Sequence, residues 1–163
     1  MRSVVLGAAR FQRDHPEVGG LLIDTELYGS GALGYHQGQA YDADTWTRVV
    51  NDLKLKSEAM GQEAEALPLS ERMTWLVDRG LMGAAYGFLE DRVAARALAL
   101  LVEARDIAPG FEVALYMPKV ATDWFYRGLM RGFGSADRPL LVLSYDMATQ
   151  GIRDELGRAG VHT

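Results

Sequence analysis

The chain has 163 residues, of which 48% are hydrophobic and 24% charged, and its net charge is −5. These values fit one globular domain with a proper core, and the negative charge argues against nucleic acid or a membrane surface as the main partner. The lack of cysteine excludes disulfides, thiol catalysis and thiolate metal sites. No signal peptide or transmembrane run of roughly 20 apolar residues is present in the sequence, so a cytoplasmic location is the default expectation.

Hydrophobic periodicity predicts helices and strands that alternate along the chain. In the helix predicted over 84–107, the side chains expected to face a sheet are Phe88, Val93, Leu98, Leu101 and Val102. The other predicted helices are 1–15, 45–60, 71–79, 123–130 and 149–158, and polar residues 61–67 form a bridge between two of them. The predicted strands are 20–28, 111–117 and 140–145, and residues 159–163 resemble the start of a fourth.

The first predicted strand carries two acidic residues and a phenol at its end. Side chains alternate along a strand, so Leu22, Asp24, Glu26 and Tyr28 are expected to share one face. The two carboxylates would then lie roughly 6.5–7 Å apart. A buried carboxylate needs a cation, a proton or another partner, and this strand end is therefore the predicted centre of the chemistry.

Polar residues also end the two later strands. Tyr116 lies near the end of the second, and Tyr145 and Asp146 lie at the end of the third. Strands that alternate with helices predict right-handed crossovers and a parallel sheet, whose carboxyl edge carries the active site in barrels and open sheets alike. The predicted fold class is α/β, with residues 1–163 forming a single unit that is part of a larger TIM (β/α)8 barrel. The alternative is a small open parallel-sheet α/β domain.

The stretch from Gly19 to Glu26 resembles the fourth strand of chitinase-like and related glycoside hydrolase barrels, which ends in D-G-x-D-x-D-x-E. Asp24 and Glu26 match its last two acidic positions, whereas Gly19 and Leu22 stand at the first two. Leu143-Ser144-Tyr145-Asp146 is similar to the Met-x-Tyr-Asp end of the sixth strand in the same barrels. The resemblance implies a carbohydrate-active barrel in which that Tyr and Asp orient the reacting acetamido group of the substrate.

Glycoside cleavage needs one carboxylic acid as proton donor and one carboxylate that supports an oxocarbenium-like transition state. We expect Glu26 to be the donor, because the charge of Asp24 beside it would raise its pKa. Asp24 would be the polarising partner, and Asp146 the nucleophile, the stabiliser or the group that orients an acetamido substituent. The aromatic residues expected to contact the sugar are Tyr28, Tyr35, Tyr116, Trp124 and Tyr145.

Each of these residues also has a structural interpretation. Asp24 and Glu26 could pair with an arginine or with loop amides, and Tyr145-Asp146 could simply end a strand in a turn. Trp124 on a helix face is more often a core residue than a sugar platform. Trp46 and Trp75 are interpreted as core residues.

Two other functions remain open at this point. Asp-x-Glu at a strand end also resembles the first motif of 3′–5′ exonucleases, which binds magnesium, although the further acidic motifs of that family are not evident. A non-catalytic carbohydrate-binding or inactive barrel fragment is the third possibility. The sequence indicates no cofactor and no resident metal. The expected partners are an oligosaccharide or glycoside substrate and either missing barrel segments or a second copy of the chain.

Overall fold

The computed structural model describes residues 1–24, 43–117, 124–135, 137–144 and 161–162. The described chain is a mixed α/β fold that is mostly helical. Its helices are α1 (Arg2–Asp14), α2 (Ala43–Lys56), α3 (Glu58–Glu65), α4 (Leu69–Asp78), α5 (Met82–Ile107) and α6 (Trp124–Phe133). Its strands are β1 (Gly20–Asp24), β2 (Glu112–Met117), β3 (Leu140–Ser144) and β4 (Val161–His162).

The predicted elements are found where the chain is described, but the helix predicted over 45–60 is divided at Ser57 into α2 and α3. Residues 61–67 were predicted to be a polar bridge, but most of them belong to helix α3. Ser57 precedes this helix in extended conformation, and its hydroxyl accepts a hydrogen bond from the Met60 amide at 3.4 Å. A serine cap followed by glutamate, alanine and glutamine, which favour helix, explains why the polar stretch is helical. The helix predicted over 149–158 lies outside the described residues.

The chain divides into two compact units. The sheet unit comprises Met1–Glu26, Arg92–Thr122 and Tyr126–Thr163, and it therefore contains all four strands. The helical unit comprises Leu27–Asp91 and Asp123–Phe125.

The core of the helical unit is built around two tryptophans, as the sequence predicts. Trp46 and Trp75 are 3% and 8% exposed, and their rings meet edge to face with centroids 6.4 Å apart. The Trp46 indole N–H donates to the Ala64 carbonyl at 2.9 Å, and the Trp75 indole N–H donates to Glu63 Oε1 at 3.0 Å. Both buried indole donors are thus satisfied, which removes the free-energy cost of burying them.

The sheet of the other unit is open and parallel, with strand order β1-β2-β3-β4. Gly20 begins β1 beside the backbone of Glu112, at a position where a Cβ would overlap the Glu112 carbonyl oxygen. A glycine is therefore required where β1 first meets β2. Two arginines bind the backbone of the segment that precedes β2. The Arg105 guanidinium donates to the Phe111 carbonyl at 3.1 Å, and the Arg138 guanidinium donates to the Pro109 carbonyl at the same distance.

One face of this sheet, the covered face, is buried against helices of the unit. Its buried side chains are Val113, Leu115, Leu140 and Val142, each no more than 5% exposed, and Leu21 and Ile23 are half-buried beside them. The helices α1, α5 and α6 contribute buried side chains of their own, including Val5, Leu101 and Leu129. Apolar burial on this scale is the main source of stability of the unit.

Helices α5 and α6 pack closely in the sheet unit. A Cβ at Gly132 would overlap the Ala94 carbonyl oxygen and the Ala97 methyl group, so the two helices approach each other through small residues. Helix α6 was predicted to end at residue 130, yet it continues through Gly132 to Phe133. The close contact with α5 explains why this glycine lies inside a helix rather than ending it.

The residues of the opposite face of the sheet, the open face, are exposed or half-buried. The open face is formed by Leu22, Asp24, Glu112, Ala114, Tyr116, Leu141 and Leu143, which alternate with the residues of the covered face. Leu22, Leu141 and Leu143 are 51%, 49% and 40% exposed. The structure therefore shows the α/β class and the parallel sheet, but the described strands form an open sheet and not a barrel. None of the described helices is long and apolar enough to span a membrane.

Candidate functional site

Two of the predicted site residues lie side by side at the carboxyl edge of the sheet. Asp24 ends β1 and is the register partner of Tyr116 on β2, which in turn pairs with Leu143 on β3. Register partners in a parallel sheet point to the same face, about 4.8 Å apart from strand to strand. The acidic and phenolic side chains therefore form one row on the open face, as the shared strand end predicts.

The local sequence explains this register. The close approach of Gly20 to Glu112 sets the first pair, and the strands then advance together to Asp24 and Tyr116. A slip by one residue would turn Leu115 and Val142 out of the core, so burial of the covered face holds the register. The position of Asp24 beside Tyr116 is thus a consequence of core packing.

Below this row lies an apolar one. Leu22, Ala114 and Leu141 are register partners on the same face. Each lies two residues before the member of the polar row on its own strand. Asp24 is exposed and Tyr116 is half-buried, so the polar row is accessible above an apolar floor. Glu112, the other acidic residue of the open face, is exposed near the opposite edge, roughly 13 Å from Tyr116 along β2.

The arrangement can bind polar groups. A carboxylate accepts hydrogen bonds, and a phenol both donates and accepts them, so a ligand hydroxyl placed over the row could engage both. Leu143 completes the row, and the sequence analysis did not single it out for a site. Its position directly before Ser144, Tyr145 and Asp146, which were predicted to end the strand, could have indicated that it lies at the site.

The remaining predicted site residues fall outside the described residues. They are Glu26, Tyr28, Tyr35, Tyr145 and Asp146. In the described ranges, no group of three or more His, Asp or Glu residues is placed to hold a metal ion.

Trp124 is placed differently from the other predicted sugar contacts. It begins helix α6 and is only 8% exposed, with its ring edge to face with Phe125 at 5.9 Å between centroids. A sugar platform must offer a ring face to the ligand, and a side chain this deeply buried offers little. Its burial favours the core interpretation that the sequence left open.

Comparisons with models of known protein families, with curated proteins and with solved structures found no match to this chain.

Proposed function

We propose that the carboxyl edge of the open face is a carbohydrate site, and that the chain is a glycoside-hydrolase-like domain in which Glu26 donates the proton and Asp24 assists it. The observation that supports this proposal is the pairing of Asp24 with Tyr116 in one row on the open face. The row lies at the edge where parallel α/β folds bind substrates. Its apolar floor suits the apolar face of a sugar, and its acid and phenol suit the hydroxyls.

The proposed chemistry is acid-catalysed cleavage of a glycosidic bond. Protonation of the leaving oxygen by Glu26 would break its bond to the anomeric carbon, while a carboxylate supports the positive charge that develops on the ring. Water would then add to the anomeric carbon and return a proton to Glu26. Tyr116 would position the sugar through a hydroxyl group. Asp146 and Tyr145 follow directly after β3 in sequence, and we propose that they orient the reacting group of the substrate.

We also propose that the four strands are a segment of a larger closed sheet. The sequential strand order and the close packing of α5 against α6 are the features shared with the barrel whose strand end the sequence resembles.

The test is turnover of a panel of aryl glycosides and chito-oligosaccharides by the purified chain and its variants. Glu26→Gln is expected to lower kcat by about 10²–10⁴-fold, because general acid catalysis contributes on that order. Tyr116→Phe is expected to raise KM more than it lowers kcat. Glu112→Gln is the matched control, because this acidic residue shares the open face but lies near the opposite edge, and it should leave turnover unchanged.

Three outcomes would reject the hydrolytic assignment. Turnover that survives Glu26→Gln would remove the proposed donor. Oligosaccharide binding without turnover would indicate a non-catalytic carbohydrate-binding domain. Magnesium or manganese binding that is lost in Asp24→Asn, measured by calorimetry, would favour the exonuclease-like site.

A further inference from the structure

Two arginine side chains from different elements hold the segment that leads into β2. Arg105 belongs to the last turn of α5, and Arg138 lies two residues before the start of β3. Their guanidinium groups donate, each at 3.1 Å, to carbonyls that are only two residues apart, those of Phe111 and Pro109. Two cationic groups are therefore fixed close together at the amino edge of the sheet, beside the start of β2.

No carboxylate balances the charge of this arginine pair. In the described parts of the chain, no acidic side chain forms an ion pair with Arg105 or Arg138. Burial lowers the pKa of Arg105, and the charge of Arg138 lowers it further, by more than the nearby Glu112 raises it. A half-buried cation beside a second cation is costly unless a counter-ion is present. The electrostatics of the pair therefore favour an anion.

Most hydrogen-bond donors of the pair are unused. A guanidinium carries five N–H groups in a planar fork, which can bind two oxygens of one oxyanion at once. Among the described residues, the Arg105 side chain donates only to Phe111 and the Arg138 side chain only to Pro109. These backbone bonds hold both guanidinium groups in place before a ligand binds, which lowers the entropic cost of binding.

A buried amide at the same segment is a second, independent observation. Gln12 on α1 is only 8% exposed, and its Oε1 atom is buried without a hydrogen-bond donor in the described structure. Its Nε2 atom lies 3.7 Å from the position that a Cβ of Gly110 would occupy. A buried acceptor without a donor is costly. A phosphate group that carries one proton offers such a donor together with acceptor oxygens, whereas a sulfate or a carboxylate offers acceptors only.

We propose that Arg105, Arg138 and Gln12 form a binding site for a phosphate group at the amino edge of the sheet. The two guanidinium groups bind its oxygens, and the Gln12 carbonyl accepts a hydrogen bond from its hydroxyl group. Glu112 limits the affinity, because its charge also acts on Arg105. The inference does not depend on the proposed carbohydrate site, which lies at the opposite edge of the sheet.

The first test is titration of the full chain with inorganic phosphate, followed by the NMR signals of the arginine Nε–H groups. Saturable shifts are expected at Arg105 and Arg138. Arg138→Gln should weaken phosphate binding at least about tenfold, because it removes a charge-assisted hydrogen bond. Arg48→Gln on α2 is the matched control, since Arg48 is exposed in the helical unit and the change of charge is the same. It should bind phosphate like the wild type.

Sulfate and phenyl phosphate at equal ionic strength are the comparison ligands, used at a pH of about 6 where phosphate esters are partly protonated. Sulfate is expected to bind more weakly than phosphate, since it has no proton to donate to Gln12. Phenyl phosphate that binds like inorganic phosphate would identify the phosphate group of an ester as the ligand. Binding of inorganic phosphate alone would identify the free ion.

Arg138→Gln also removes the bond to Pro109, so circular dichroism checks that the variant folds. Arg138→Lys is the second variant, because it keeps the charge but loses the planar fork, and it should bind phosphate with intermediate affinity. Shifts that do not saturate in the wild type, equal weakening by Arg138→Gln and Arg48→Gln, or equal affinity for sulfate and phosphate would overturn the proposal. The two arginines would then serve only to hold the segment before β2.

Discussion

Leu141 and Val142 are neighbours on the same strand, yet they have opposite environments. Val142 is 2% exposed on the covered face, whereas Leu141 is 49% exposed on the open face. Both are apolar, so residue type does not distinguish them. The difference shows that alternation assigns neighbouring residues to opposite faces, while the packing partners of each face decide which one becomes core.

Truncation of one leucine on each face tests whether the two faces differ in packing. Leu115→Ala is expected to lower the free energy of unfolding by about 2–5 kcal/mol, because Leu115 is fully buried and its truncation leaves a cavity. Leu141→Ala should change it by no more than about 0.5 kcal/mol when the chain is monomeric. Urea unfolding at low protein concentration measures both, and comparable losses would mean that the two faces are equally packed.

Gly132→Ala probes how tightly helices pack on the covered side. The added methyl would overlap the Ala94 carbonyl and the Ala97 side chain, and we expect a loss of about 1–3 kcal/mol. Gly87→Ala within α5 is the control, because nothing lies within 4 Å of its Cβ position. That variant should gain up to about 1 kcal/mol from helix propensity. Thermal unfolding of both variants shows whether each is more or less stable than the wild type. A stabilised Gly132→Ala protein would contradict close packing of α5 on α6.

In the helical unit, arginine side chains cover the rings of the two core tryptophans. Arg72 lies over the Trp46 ring at 5.3 Å and Arg79 over the Trp75 ring at 4.9 Å. Arg79 also pairs with Glu63, which accepts the Trp75 indole hydrogen bond. The Trp75 hydrogen bond, followed by Arg79, lowers the pKa of Glu63 below its ordinary value near 4.5.

A lowered pKa of a carboxyl group fixes the sign of the pH dependence. The stabilisation by ionised Glu63 is complete above pH 4.5 and is lost as the pH falls through its lower folded-state pKa. We expect a small acid-dependent change in tryptophan fluorescence in this range, and Glu63→Gln should reduce it. Because Glu63 is half-exposed, the effect on stability is the smallest of the three. An acid transition identical in Glu63→Gln and wild type would exclude this contact as its origin.

Much of the local structure could be predicted from the sequence, because hydrophobic periodicity and breakers act over short distances. The three predicted strands and the position of Asp24 at a strand end are confirmed within the described residues. Helix α3 was predicted only in part, because the helix expected over 45–60 includes its first residues but the polar stretch after it resembled a loop and the cap at Ser57 was not recognised. On α5, Leu98 and Val102 were expected to face the sheet, but they are 53% and 51% exposed.

Leu101 of the same predicted stripe is buried as expected, and the other buried residues of that part of α5 are Ala97 and Ala104. The sequence favoured the large side chains as core, whereas close helix approach requires small ones. Only the packing partner, with Gly132 at the contact, reveals which stripe is buried. Trp124 is a second example. Its residue type suits contact with a sugar ring, but the structure shows that it is buried like a core residue.

The alternation of parallel strands with helices and the acidic residue near the end of the first strand could be predicted from the amino-acid sequence. These follow from side-chain alternation and from the short-range conformational preferences of the residues. The register that pairs Asp24 with Tyr116 is known from the structure, because strand register depends on the burial of residues distant in sequence. The structure also shows that one apolar face is core and the other open, since exposure depends on what packs against a surface.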